Sequence, residues 1–365
     1  MVRRARPDVA DTSRDAVLVI ACSATRYCTR AGTDGRRAIP RGLLTTLASV
    51  ERSHRDGGPW QNGRVLMPEE LPQDRPLDPR FLERIVATAL DEDLGAAPGR
   101  DVTTQATIGP GTAVAGAVVA RADGVVAGLD AIAETLHQVS ARLGLATPTI
   151  AARAADGDRV RAGDHLAAIA GPGHVVLVAE RTLLNLLSRA SGVATHTRRW
   201  ADALDGTNAR VLDTRKTTPG LRELEKYAVR CGGGVNKRMG LFDCAMVKDN
   251  HIVAAGSVTA AVRAIAARFP EVPIQVEVET WDQAQEALAA GVRFLMLDNL
   301  PPDAMAGFVA RVRERESELG KVWLEATGGL TLANAREVAA TGVDFMSVGA
   351  LTHSSAILDI ALDLE

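Results

Sequence analysis

Apolar residues at positions 81, 82, 85, 86, 89 and 90 recur three to four apart, the spacing that turns one face of a helix toward a core. The pattern then becomes mixed. Residues 113–120 and 175–178 read as strands, and residues 131–143 and 180–191 as helices, which predicts an α+β domain. From about Arg210 the chain turns rhythmic. Short apolar runs at 210–213, 244–247, 274–278, 294–297, 322–324 and 345–348 alternate with helical segments near 219–231, 257–268, 281–290, 302–319 and 331–341. Strands that alternate with helices lie parallel and need crossovers, so this half is an α/β barrel or a doubly wound sheet.

The residues at or just past the strand ends favour the barrel. They are Arg215 and Lys216, Lys248, Glu279, Asp298, Glu325 with Gly328 and Gly329, and Ser347 with Gly349. A barrel gathers these ends on one face, where enzymes of that architecture keep their active sites. Cations beside carboxylates suit a polyanionic substrate with a divalent metal, because the cations offset charge and the oxygens hold magnesium. The turns Thr327-Gly-Gly329 and Ser347-Val-Gly-Ala350 follow the last two strands, where barrels bind phosphate through backbone N–H groups.

Composition adds two points. Four of the five lysines, Lys216, Lys226, Lys237 and Lys248, lie within one short stretch of 365 residues that otherwise uses arginine for positive charge. That clustering points to places where a compact ammonium is needed. The turn-rich run Ala155-Asp-Gly-Asp-Arg-Val-Arg-Ala-Gly-Asp-His-Leu166 is similar to the hairpin of lipoyl and biotinyl carriers. Carriers modify a lysine, and none precedes Lys216, so a plain Gly-rich hairpin is expected.

A net charge of −3 with interspersed signs gives no reason to expect nucleic acid or an acidic membrane as partner. The four cysteines, Cys22, Cys28, Cys231 and Cys244, show neither C-x-x-C nor zinc spacing, and no apolar run reaches membrane-spanning length. A reduced, cytoplasmic protein is expected. The run Ala16-Val-Leu-Val-Ile-Ala-Cys22 is too brief for a convincing export signal. Residues 1–75 hold many Arg, Asp, Gly and Pro, no Lys, and only brief apolar runs such as 42–48, so they are expected to form a disordered or weakly ordered extension.

Several motifs occur in order from about residue 77 to the end. They are Glu92-Asp-Leu-Gly95 with Asp101-Val-Thr-Thr104, Glu180-Arg-Thr-Leu-Leu-Asn185 with Ser191-Gly-Val-Ala-Thr195, and Asp213-Thr-Arg-Lys-Thr-Thr-Pro-Gly220. Further on come Lys226-Tyr-Ala228 with Gly232-Gly-Gly-Val-Asn236, Val247-Lys-Asp-Asn-His251, Val276-Glu-Val-Glu279, Leu297-Asp-Asn299 and Glu325-Ala-Thr-Gly-Gly329. Together they resemble the quinolinate phosphoribosyltransferases, also called carboxylating nicotinate-nucleotide pyrophosphorylases.

The resemblance implies an N-terminal open α/β sandwich over 76–192 and an incomplete TIM-like α/β barrel over 193–350, with fewer strands than the usual eight. Residues 351–365 would pack back on the N-terminal domain, and a homodimer would share its active sites across the interface. The implied reaction joins quinolinate and 5-phosphoribosyl-1-pyrophosphate, with magnesium, to give nicotinate mononucleotide, pyrophosphate and carbon dioxide in de novo NAD biosynthesis. Two other readings of the strand-end lysines and the fold are a Schiff-base aldolase and a non-catalytic, metal-transport-associated relative.

By motif position, the implied catalytic set is Lys216, Lys248, Glu279 and Asp298, with Glu279 and Asp298 also the magnesium ligands. Arg215, Arg238 and Lys248 would hold the quinolinate carboxylates, joined by Arg181 from the neighbouring subunit. Thr214, Lys237, Glu277, Thr327, Gly328, Gly329, Ser347, Gly349 and His353 complete the substrate-binding set. Glu277 and Glu279 share a strand face, so either is a candidate for the closer ligand. The family commonly has Asn-His-Arg where this chain has Asn236-Lys237-Arg238. A lysine there keeps a fixed charge and gives up the histidine's proton exchange near neutral pH.

Overall fold

The computed structural model describes residues 76–365, together with the backbone of a short antiparallel pairing between Trp60–Gln61 and Arg64–Val65. The remaining residues before 76, with the apolar runs at 16–22 and 42–48 and the bulk of the expected extension, lie outside the described residues. Helix α1, Pro79–Leu94, starts at Asp78, whose carboxylate accepts the Arg80 N–H at 2.9 Å, with proline in the first turn. It buries Phe81, Leu82, Val86 and Leu90, the face expected from their spacing. Helix α2, Val102–Thr107, is capped by Asp101 through the N–H groups of Thr103 and Thr104.

Next come β1 (Ala113–Ala120), β2 (Gly124–Val125), α3 (Asp130–Leu143), β3 (Thr149–Ala152), β4 (Arg159–Val160), β5 (His165–Pro172) and α4 (Gly173–Ala203). The C-terminal strand Ile360–Leu364, β1, β5 and β3 form one antiparallel sheet in that order. The 31-residue helix α4 contacts this sheet and α3.

Two local expectations differ from the structure. Residues 175–178 are helical, inside α4, although valines favour strands. The helix buries Val175, Val176, Val178, Ala179, Leu183 and Leu187, and burial at about 1.5–3 kcal/mol per large side chain outweighs a propensity difference of a few tenths. The run at 155–166 makes two turns, at Gly157 and Gly163, both with positive φ, but no hairpin. Strand β4 pairs with β2, while β5 pairs with β1 and β3. Turn residues mark a change of direction; the pairing partner is a non-local choice.

Six parallel strands follow: β6 (Arg210–Leu212), β7 (Ala245–Val247), β8 (Ile274–Val278), β9 (Phe294–Asp298), β10 (Trp323–Thr327) and β11 (Phe345–Ser347). Their sheet order is β6-β11-β10-β9-β8-β7. A parallel bridge from Leu212 to Val235 puts a further strand position on the free side of β6. The order around the barrel is therefore the order in the chain, with closure missing between Val235 and β7. This is the incomplete barrel expected.

Helices α5 (Arg222–Cys231), α6 (Asp249–Ala255), α7 (Val258–Arg268), α8 (Trp281–Ala289), α9 (Pro302–Glu314), α10 (Glu316–Leu319), α11 (Ala335–Ala340) and α12 (Ala350–His353) connect or follow the strands. Leu212, Val235, Phe294, Met296 and Phe345 form a cluster of their own in the barrel interior, with Phe294 and Phe345 stacked at 5.9 Å. Among the described residues, no helix is long and apolar enough to cross a membrane.

Candidate active site at the mouth of the barrel

Side chains alternate between the two faces of a strand, so the inward set at the C-terminal ends is fixed by parity: Thr214, Lys248, Glu277, Asp298, Thr327 and Ser347. Register supports the grouping. Asp298 stands level with Thr327, Glu277 with Met296, and Ser347 with Leu212. Lys248 directly follows β7 and pairs with Glu277 on β8. Glu277 is thus the lumen-facing acid of the Val276-Glu-Val-Glu279 motif. Glu279 is exposed where α8 begins, its N–H held by Gln283 Oε1 at 2.8 Å. Glu325 lies in the middle of β10, fully buried, and not at the strand end where the sequence reading put it.

The cations divide into two groups. Lys226 and Lys237 are buried in internal ion pairs, with Asp213 and Glu325 respectively. The structure therefore places Lys237 in the barrel interior with Glu325, and not among the exposed or half-exposed side chains at the mouth. Lys216 and Lys248 remain at the mouth with Arg215 and Arg238. Arg238 Nη1 donates to the Cys244 carbonyl at 3.1 Å, across the unclosed part of the barrel. Burial holds Arg238 below the usual arginine range, and the Arg215 cation adds to that effect. Arg215 Nε is buried without a hydrogen-bond partner. Neither arginine has a carboxylate ion-pair partner among the described residues.

Beyond the ends of the neighbouring strands β6 and β11, Lys216, Gly349 and His353 converge. A Cβ on Gly349 would lie 3.0 Å from Lys216 Cδ and 3.1 Å from His353 Nε2. The Thr352 hydroxyl donates to the Lys216 carbonyl at 2.8 Å, tying the end of β6 to α12. His353 Nδ1 lies 2.6 Å from Ser354 Oγ. Gly328 and Gly329 both have positive φ, 84° and 61°, so the Gly-Gly turn exposes its backbone as only glycine does readily. Asn299, also at positive φ, sets its amide over Gly328 and donates from Nδ2 to Asp298 Oδ2 at 2.9 Å.

Support for these residues comes from groups that no sequence signal singled out. Arg189 on α4 binds Glu225 on α5, with Nη2 2.6 Å from Oε1, and Glu225 accepts both the N–H and the hydroxyl of Thr218. Arg189 also donates to the carbonyls of Thr352 and Ser355. One guanidinium therefore secures the loop after Lys216 and the segment bearing His353. Gly192 on α4 allows that segment to approach, since a Cβ there would meet Ala356 O at 2.1 Å. Arg181, on the same helix, is 73% exposed, and its ion pair is with its neighbour Glu180 at 3.6 Å.

Among the described residues, no group of three or more His, Cys, Asp or Glu could hold a metal by itself. Magnesium usually takes one or two carboxylates and completes its shell with waters and substrate phosphates, so it does not require such a group. Asp298 is a half-buried carboxylate at the mouth, and its Oδ2 accepts from Asn299 Nδ2.

Comparison with known proteins gives the same answer along most of the chain. The family described as the C-terminal domain of quinolinate phosphoribosyl transferase matches residues 193–363, and the N-terminal domain of the same family matches 101–191. A carboxylating nicotinate-nucleotide pyrophosphorylase of Mycobacterium leprae is 47% identical over 279 residues, covering 76% of this chain and 95% of that protein. A chloroplastic protein of the same name from Arabidopsis thaliana is 37% identical over 341 residues, covering 90% and 92%. Among solved structures, NadC from Streptococcus pyogenes superposes with a TM-score of 0.72 at 34% identity, covering 80% of this chain and 99% of that one.

Proposed function

Because this chain belongs to the quinolinate phosphoribosyltransferase family, we propose that its barrel mouth is where quinolinate and 5-phosphoribosyl-1-pyrophosphate meet. The reaction transfers the phosphoribosyl group to the ring nitrogen and releases pyrophosphate and carbon dioxide, leaving nicotinate mononucleotide for NAD biosynthesis. The observation that carries the site assignment is the pair Arg215 and Arg238: half-buried, adjacent, and, among the described residues, without a carboxylate in ion-pair contact, Asp243 acting on Arg238 only through its charge. Two like charges this close disfavour each other in a half-buried site, and a dicarboxylate substrate supplies the countercharge. The aldolase and metal-transport readings have no such support and fall to the family match.

In this reading Arg215, Arg238 and Lys248 hold the two quinolinate carboxylates, the arginines through their planar forks and the lysine as a point charge. Thr214 lines the same wall. Glu277 and Asp298 face the ribose from neighbouring strands, where their charge stabilises the cation that develops at the anomeric carbon as pyrophosphate departs. Glu279, more exposed, sits where a ribose hydroxyl or a hydrated metal can reach it. Thr327, Gly328, Gly329, Ser347, Gly349 and His353 surround the phosphate end, with Lys216 between phosphate and pyrophosphate. Magnesium, held by Asp298 with Glu277 or Glu279, supplies charge neutralisation of the pyrophosphate when bound. Once ribosylated, the ring nitrogen is cationic and stabilises, as an ylide, the electron pair that stays on the adjacent ring carbon when carbon dioxide leaves. A proton from water then takes up that pair, and this stabilisation favours transfer before decarboxylation.

Arg181 is too exposed to serve this chain's own core, and a second copy that brings it to the neighbouring mouth completes the cation set. A homodimer with shared sites follows from that reading. A cytoplasmic setting is consistent with Cys231 and Cys244, both free, whose thiols burial pushes up to about 12. The test is formation of nicotinate mononucleotide and carbon dioxide from quinolinate and 5-phosphoribosyl-1-pyrophosphate by the purified protein with magnesium. No product under these conditions overturns the assignment.

A further inference from the structure

Lys237 stands where the family commonly has histidine, and its partner lies inside the barrel. Its Nζ is 2.7 Å from Oε1 and 2.6 Å from Oε2 of Glu325, with the Met296 sulfur at 3.0 Å and the Phe294 ring centroid at 5.9 Å. The pair is nearly sealed from solvent, the lysine side chain 6% and the glutamate 1% exposed. The backbone of residue 237 is held separately. Its N–H donates to Asp213 Oδ1 at 2.8 Å, and its carbonyl accepts from Lys226 Nζ at 3.2 Å. Residue 237 thus ties the strand position at Val235 to β10 across the lumen. The next residue is Arg238, which bridges to Cys244.

We infer that Lys237 is a positioning residue and not a substrate contact: its pairing with Glu325 neutralises both charges beneath the site and fixes the course of the chain that presents Arg238. The inference rests on the quinolinate reading of the mouth. An ammonium held by a carboxylate, with a thioether and an aromatic ring beside it and its side chain 6% exposed, is turned to these internal partners. Removing one partner leaves a buried charge uncompensated, a strongly disruptive change, whereas replacing both with apolar groups of similar volume is often neutral. Met296 and Phe294 are already apolar neighbours for such a replacement. Disruption at 237 reaches Arg238 one residue on, so it falls on quinolinate before it falls on the second substrate.

The test is a double-mutant cycle with Glu325→Met, Lys237→Met and Lys237→Met/Glu325→Met, with Glu325→Gln as a further single variant, following kcat and both KM values. Each single variant is expected to raise the quinolinate KM by about tenfold or more while the KM for 5-phosphoribosyl-1-pyrophosphate stays within about twofold, and the double variant to recover most of the loss. Direct contact between Lys237 and substrate predicts the reverse sign for Glu325→Gln, because unmasking the lysine would tighten quinolinate, and predicts equal damage in Lys237→Met and the double variant. Either result overturns the inference, as does a parallel rise in both KM values. If Lys237→Met fails to fold, the sign of the KM change in Glu325→Gln decides, since that variant keeps the side-chain shape and an acceptor. Wild-type enzyme is assayed alongside; its failure to turn over quinolinate would sink the underlying reading, whereas a wild type that works with a failed cycle rejects only the role of the pair.

Discussion

Asp213 and Lys226 meet at zero exposure where the first barrel strand ends, Nζ on Oδ1, with Asn236 Nδ2 on the other carboxylate oxygen at 2.7 Å. Burial raises Asp213 and lowers Lys226, and each offsets the other through charge and hydrogen bonding. The pair anchors the residues on either side of the site, since Asp213 precedes Thr214 and Arg215 and also holds the N–H of Lys237. Asp213→Asn or Lys226→Met leaves one buried charge alone. Each should cost about 3–5 kcal/mol of stability, read from urea or thermal unfolding, with activity falling in step. A loss under about 1 kcal/mol would show that the pair is not an anchor.

The Gly-Gly turn makes a sharper local prediction. Gly328 has φ of 84°, and a Cβ there would lie 2.1 Å from Asn299 Oδ1. Gly328→Ala therefore strains the backbone and displaces an amide that is bonded to Asp298, at a cost of about 1–3 kcal/mol. Steady-state kinetics should show the KM for 5-phosphoribosyl-1-pyrophosphate rising about tenfold with quinolinate binding little changed. An effect confined to quinolinate would place the phosphate elsewhere.

Subunit sharing is tested by complementation. Arg181→Ala and Lys248→Ala proteins, each nearly inactive alone, should regain activity when mixed, because one site of each heterodimer keeps both residues. Random exchange makes half the dimers mixed, so recovery should approach about a quarter of wild-type sites under two-fold symmetry. Exchange is verified by native mass spectrometry of tagged chains. Heterodimers that stay inactive would confine Arg181 to its own chain.

Much of this arrangement was legible in the sequence because it rests on local periodicity. Parallel strands buried on both faces are short apolar runs, and the polar residue after each run marks the mouth, so residues 274–278 are a strand with the expected bounds. What escaped the sequence depends on contacts between distant elements. Arg189 and Glu225 are ordinary helix residues until their helices pack, and the charge clusters do not reveal that Lys226 and Lys237 turn inward while Lys216 and Lys248 remain at the mouth. Glu325 looked like a strand-end acid because the strand was expected to stop at 324, whereas it continues to Thr327. The same limit applies to β4 and β5, whose turns were visible and whose partners were not.

A pH effect on stability follows from His196. The ring is half-buried, with Nδ1 2.8 Å from Ser355 Oγ, and burial lowers its pKa, with Arg199 adding to the shift. A histidine that binds its proton less readily when folded contributes stability above its unfolded pKa of about 6.5 and loses it as pH falls through the folded value. Melting temperature should therefore drop from pH 7.5 toward acid more steeply in wild type than in His196→Asn. Parallel curves would assign the acid sensitivity to other groups.

The most direct measurement compares quinolinate with nicotinate, which lacks the second carboxylate but keeps the ring nitrogen. A site that leaves Arg215 and Arg238 without a carboxylate in ion-pair contact among the described residues loses compensation when only one substrate carboxylate arrives, so the penalty falls on the transition state as an under-compensated, half-buried charge. The ratio of kcat/KM for quinolinate over nicotinate, measured in wild type with saturating 5-phosphoribosyl-1-pyrophosphate and magnesium, should be about 10³ or more. A ratio near one would contradict the dicarboxylate site.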